Sequence, residues 1–113
     1  VNGPDHWMMV CPLSEVKEGR PVGVDVQGRK VGVYLERGEI HVLDNICTHA
    51  YALMSEGFQE DGYIECPLHG GKFDIRTGKA LCPPLERDLT VYPSTVGEGT
   101  VYIRIVPVES ATD

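Results

Sequence analysis

Val22-Gly23-Val24-Asp25-Val26-Gln27-Gly28-Arg29-Lys30-Val31-Gly32-Val33-Tyr34-Leu35-Glu36-Arg37-Gly38-Glu39-Ile40-His41-Val42-Leu43 decides the fold class. Apolar β-branched residues alternate with small or polar ones, the period of a pleated strand. The alternation stops at Gln27-Gly28-Arg29, a hairpin-type turn signal, and again at Arg37-Gly38. Strands are therefore expected at Val22–Val26, Val31–Leu35 and Ile40–Leu43.

The same grammar extends in both directions. His6 to Cys11 reads as a first strand, followed at Leu13 to Gly19 by a short turn with one helical turn. Further strands are expected at Tyr63 to Cys66, Lys72 to Ile75, Leu89 to Tyr92 and Val101 to Val106. Asp61-Gly62, Thr77-Gly78 and Gly97-Glu98-Gly99 supply turns between them. No window of a dozen residues carries a helical stripe. The expectation is an all-β, antiparallel sandwich or open barrel, interrupted by loops over about 45–57 and 67–71. At 113 residues the chain has the length of one domain, 1–113, and its tail after Val108 is expected to fray.

Charge narrows the function classes. Ten Lys and Arg against seventeen Asp and Glu give a net charge of −7. That disfavours nucleic acid and anionic membranes, and suits a partner with a basic docking patch. No stretch reaches the roughly 18 apolar residues of a membrane helix, and the first residues do not resemble a signal peptide. A soluble, cytoplasmic protein is expected.

The two interrupting loops hold Cys47-Thr48-His49 and Cys66-Pro67-Leu68-His69, with sixteen residues between His49 and Cys66. Each loop offers one thiolate and one imidazole, so both can face a common centre. Four such ligands suit structural zinc, or a [2Fe–2S] cluster with two cysteines on one iron and two histidines on the other. Cys11 and Cys82 complete the cysteines. Cys11 reads as a small buried hydrophobe, and Cys82 as packing near the centre. His41, between Ile40 and Val42, reads as a solvent-facing strand residue, and His6 and Trp7 as packing. Asp74 is expected to bond within a turn with Thr77. Glu56, Glu60, Asp61 and Glu65 form an acidic group near the loops.

The pattern C-x-H-x16-C-x-x-H resembles the two boxes of the Rieske iron–sulfur proteins, and Cys66-Pro67-Leu68-His69-Gly70-Gly71-Lys72-Phe73-Asp74 resembles the second box and its continuation. Leu81-Cys82-Pro83-Pro84-Leu85 stands where the family has a proline-rich loop over the cluster. The resemblance implies a Rieske-like fold with a small cluster-binding part, about 45–85, formed by two loops. It implies Cys47 and Cys66 on one iron and His49 and His69 on the other, with no catalytic residue. The extra disulfide cysteines of the cytochrome-complex members are replaced by Ala52 and Leu68. Their serine and tyrosine donors to the cluster sulfurs are replaced by Gly71 and Phe73. Such donors stabilise the reduced cluster, so their absence implies a low potential.

Among Rieske proteins the resemblance is nearest to the ferredoxin components of bacterial ring-hydroxylating oxygenase systems. It implies an electron carrier and not an enzyme, with a flavin-dependent reductase and a terminal Rieske oxygenase as partners. No glycine-rich dinucleotide fingerprint opens a helix, so neither NAD nor flavin is expected on this chain. A reductase small subunit of the nitrite-reductase type and a zinc-stabilised binding module are the rival readings. Aerobically purified protein is expected to be coloured and to contain two iron and two sulfide per chain. Its potential should lie near the low end of the roughly −150 to +300 mV Rieske range and rise in Gly71→Ser and Phe73→Tyr. Colourless protein with stoichiometric zinc would refute this.

Overall fold

The computed structural model describes residues 7–48, 52–68, 70–82 and 87–105. Ten strands run in the order β1 (Met8–Pro12), β2 (Val22–Val26), β3 (Arg29–Glu36), β4 (Glu39–Asp44), β5 (Phe58–Glu60), β6 (Tyr63–Glu65), β7 (Lys72–Asp74), β8 (Val91–Tyr92), β9 (Ser94–Gly97) and β10 (Thr100–Ile103). They form three antiparallel sheets, β1-β10-β9, β2-β3-β4-β8 and β5-β6-β7. The expected all-β class is what the chain adopts. The helical turn expected after the first strand is a 3-10 turn at Leu13–Glu15, and a second lies at Met54–Glu56.

Four hairpins close on two-residue turns whose central residues both have positive φ: Gln27-Gly28, Arg37-Gly38, Asp61-Gly62 and Glu98-Gly99. Such turns follow the right-handed twist of the strands they join, and glycine takes the second position without steric cost. β5 and β9 were not foreseen. Their burial patterns, exposed–half-buried–exposed for Phe58–Glu60 and half-buried only at the ends for Ser94–Gly97, carry no apolar alternation to read. Each is held by pairing to a readable neighbour, β6 or β10.

β3 and β4 organise the molecule because both of their faces are covered. Val31, Val33 and Val42 enter one core with Val10, Cys11, Val26, Val101 and Ile103, between the two larger sheets. Tyr34 and Leu43 point to the other side, into a second core with Met54, Ile64, Phe73, Ile75, Cys47 and Cys66. Each fully buried aliphatic or aromatic side chain contributes about 1.5–3 kcal/mol. Gln59 on β5 fastens the small sheet to β3, donating to the Leu35 carbonyl at 2.8 Å and to Glu36 Oε1 at 2.9 Å.

His41 corrects the solvent-facing expectation. Its side chain is only 16% exposed, with Nε2 3.5 Å from Glu39 Oε1. It lies on the Leu43 face, the side that the small core covers, so alternation alone misplaced it. Cys11 is buried as expected, and burial raises its thiol pKa. Trp7 lies under the Arg104 guanidinium, 5.0 Å from the ring centroid. His6 and the tail after Val108 lie outside the described residues.

Tyr92 joins β8 to β4 by donating its hydroxyl proton to Asp44 while accepting from Arg29 Nη1 at 3.2 Å. Burial, followed by the hydrogen bond to Asp44, pushes its pKa up to about 12. A raised folded-state pKa means that the native protein holds this proton more tightly than the unfolded chain, whose tyrosine titrates near 10. The resulting stability is present below about pH 10 and is lost as pH climbs toward 12. Urea unfolding at stepped pH should therefore show a steeper alkaline loss in wild type than in Tyr92→Phe; equal slopes would refute the assignment.

Candidate metal centre

The first loop leaves β4 at Asn45 and returns to β5 through the Met54–Glu56 turn. Its neck is a short antiparallel ladder. The Met54 N–H donates to the Asn45 carbonyl at 2.7 Å, Ile46 pairs with Leu53, and the Cys47 N–H donates to the Ala52 carbonyl at 2.9 Å. The second loop joins β6 to β7. There the Cys66 N–H donates to the Gly71 carbonyl at 2.7 Å, and the Gly70 N–H returns to the Cys66 carbonyl at 3.1 Å. Both loops are thus closed the same way, each cysteine amide bonded to the carbonyl five residues on.

Both cysteines sit at the neck of their loop with their side chains turned into the small core. Cys47 is 4% and Cys66 2% exposed. They share that core with Tyr34, Phe73 and Leu89. The four cysteines form no disulfide with one another. His49 and His69 lie outside the described residues, inside the spans that the two ladders close. Two buried thiols on matched loops, each with an imidazole within three residues, form a donor set of the kind that holds a [2Fe–2S] cluster.

Neighbouring segments tie the loops down. Thr48 Oγ1 donates to the Arg87 carbonyl at 2.8 Å, which links the first loop to the chain just after the proline-rich stretch. Ala80 donates to Asp88 Oδ1 at 2.8 Å, and Leu81 to the Lys72 carbonyl at 2.8 Å. Pro83, Pro84 and Leu85 lie outside the described residues, and Cys82 beside them is half-buried. Asp74 accepts from the Arg76 and Thr77 amides at 2.8 and 3.2 Å, the turn role expected of it. Gly71 and Phe73 are both buried, and Ala52 is half-buried. Leu68 is 54% and Leu81 47% exposed, two apolar side chains at the loop end of the molecule.

The model of the Rieske [2Fe–2S] domain matches residues 6–93. The chain belongs to this family. It is 45% identical, over 88% of its own length and 96% of the relative's, to the ferredoxin component of the naphthalene 1,2-dioxygenase/salicylate 5-hydroxylase systems of Ralstonia sp. Among solved structures it is similar to the Sphingomonas yanoikuyae B1 ferredoxin, with a TM-score of 0.85 and 39% identity over 89% of this chain and all of that one. A chain in the complex of reduced oxygenase and oxidized ferredoxin in carbazole 1,9a-dioxygenase superposes with a TM-score of 0.79 at 34% identity, covering 85% of this chain and 99% of that chain. The cofactor of a Rieske domain is one [2Fe–2S] cluster.

Sequence reasoning missed the supports of this Rieske centre. Asn45, Ser55, Thr48 and Arg87 are ordinary polar residues in loops, and only their pairings give them a role. Gly57 is another. A Cβ there would collide with the Glu65 carbonyl and come within 3.1 Å of Pro67 Cδ, so the end of the first loop passes against the base of the second. Gly57→Ala should therefore push apart the two segments that carry Cys47 and Cys66. We expect it to cost about 3 kcal/mol or more in urea unfolding and to purify with less iron and sulfide. Gly28→Ala, with open space around a turn glycine, should cost about 1 kcal/mol and leave the iron content unchanged. Equal iron content in the two variants would contradict this reading of Gly57.

Proposed function

We propose that the chain, residues 1–113 acting as one Rieske domain with its cluster-binding part at about 45–85, is a soluble cytoplasmic one-electron carrier. Cys47 and Cys66 would bind one iron and His49 and His69 the other. It would take electrons from a flavin-dependent reductase and deliver them to the terminal oxygenase of a ring-hydroxylating system. The observation that carries this reading is the pair of loops, each closed by a cysteine amide bonded to the carbonyl five residues on, over one buried core, in a chain 45% identical to an oxygenase-system ferredoxin.

The bound cluster supplies a one-electron redox couple. The protein's own contribution is placement. Burial of Cys47 and Cys66 keeps water from the thiolate side. Exposed Leu68 and Leu81 offer apolar contact at the loop end. Of the acidic group, Glu56, Glu60 and Asp61 are exposed and Glu65 is half-buried. Among the described residues no helix is long and apolar enough to cross a membrane.

Stopped-flow mixing tests the whole relay. The oxidised protein should accept one electron per chain from the reductase, and the reduced protein should pass it to the oxygenase. With seven net negative charges, the rate of reduction should fall about tenfold or more from low to high ionic strength. A chain that cannot be oxidised by the oxygenase is not its donor. A rate that is flat in salt would leave the acidic surface no part in docking.

A further inference from the structure

Asn45 is bonded through its main-chain and its side-chain polar groups alike, and it is not one of the four proposed ligands. It is 3% exposed, at the point where β4 ends and the first loop begins, two residues before Cys47. Its main-chain N–H donates to the Lys30 carbonyl of β3 at 2.9 Å, and its carbonyl accepts from Met54 at 2.7 Å. Its side chain grips Ser55 on the returning limb. Oδ1 accepts from the Ser55 N–H at 2.7 Å, and Nδ2 donates to Ser55 Oγ at 2.9 Å. One residue therefore ties the loop's outgoing limb, its returning limb and the central sheet together.

Glycine at two positions of that sheet makes room for this grip. A Cβ on Gly23 would lie 2.7 Å from Ser55 Oγ and 2.8 Å from Asn45 Nδ2; a Cβ on Gly32 would lie 3.0 Å from Asn45 Oδ1. Both strands give up a side chain where the clamp presses on them. The Cys47–Ala52 ladder continues directly from the clamp, so the clamp fixes the splay of the two limbs and hence the position of the Cys47 thiol. The second loop has a different anchor, because β6 and β7 pair up to Glu65 and Lys72, immediately beside Cys66 and Gly71.

We propose that Asn45 is a positioning residue for the cluster, acting through Ser55 to hold the Cys47 loop at the separation the cluster requires. This rests on the reading of Cys47 as a ligand. Residues that orient metal ligands change metal retention by about 10–100-fold when removed. The pair can be mimicked in one instructive way. In Asn45→Asp the carboxylate still accepts from the Ser55 N–H and also accepts from the Ser55 hydroxyl, so both contacts persist.

The test follows cluster loss by visible absorbance in the presence of an iron chelator, well below the melting temperature, with the redox potential measured on the same samples. Asn45→Ala should lose its cluster at least about tenfold faster than wild type and with a shifted potential, while its far-ultraviolet circular dichroism is retained. Asn45→Asp should restore the rate to within about threefold of wild type. Gly23→Ala, whose added methyl group meets the clamp from the sheet side, should also speed the loss, and provides the test if Asn45→Ala does not fold. If the loaded Asn45→Ala or Gly23→Ala protein melts lower yet keeps the wild-type loss rate and potential, the residue is merely structural and the proposal falls. If wild type itself binds no [2Fe–2S] cluster, the ligand reading falls first and takes the proposal with it.

Discussion

Burial of β3 and β4, the central strands of the β2-β3-β4-β8 sheet, on both faces is the constraint from which the remaining architecture follows. A sheet packed on one side only would offer Tyr34, Leu43 and the Glu36 carboxylate to water. Here those groups face a second core, so a second layer has to cover them. That layer is the short β5-β6-β7 sheet, too small to be stable alone because isolated ribbons of this size bury too little apolar surface. Its strands exist because Ile64, Phe73 and Ile75 are fully buried against Tyr34 and Leu43. The metal centre is thus built on a layer that depends on the larger body for its fold.

Mounting the centre this way has a mechanical result. Each loop that carries a cysteine starts and ends on paired strands or ladders whose other side is packed core. The cysteine amides are engaged by carbonyls of their own loops, so neither is spare for a cluster sulfur. Gly71 and Phe73 bring no side-chain donor to the same region. Side-chain hydrogen bonds to sulfur stabilise a reduced cluster, and these two positions have none to give. Tyr34 is fully buried within that core, and burial alone raises the pKa of its hydroxyl, as expected of a group shielded from water.

The surface divides into parts of different character. The loop end presents Leu68 and Leu81, apolar and exposed. The β5-β6 ribbon beside it leaves Glu60 and Asp61 to solvent, while Glu36 of β3 is enclosed and bonded by Gln59. Under the proposed function the acidic ribbon would supply long-range attraction and the leucines short-range apolar contact, a combination that suits brief, repeated encounters over permanent assembly.

Much of this was legible in the residues. The X-Gly pairs marked the turns of four hairpins because only a few residue types tolerate positive φ at both central positions, and alternation marked β2, β3 and β4 because their aliphatic residues line the face that enters the larger core. The four-ligand spacing pointed to the cofactor because thiolates and imidazoles at those intervals have few other uses. Other features belong to tertiary structure. His41 looked exposed because period-2 alternation assumes that one face is wet, and the small core covers that face. β5 and β9 have no apolar period of their own and form only because a neighbouring strand supplies their hydrogen-bond partners. Asn45 and Ser55 stand ten residues apart with nothing to distinguish them from solvated loop residues. Their grip exists only once β3 and β4 have fixed where the loop begins, and Gly23 and Gly32 have left the space for it. The sequence determines which thiols and imidazoles the chain offers; the packed sheet decides where the two cysteines sit.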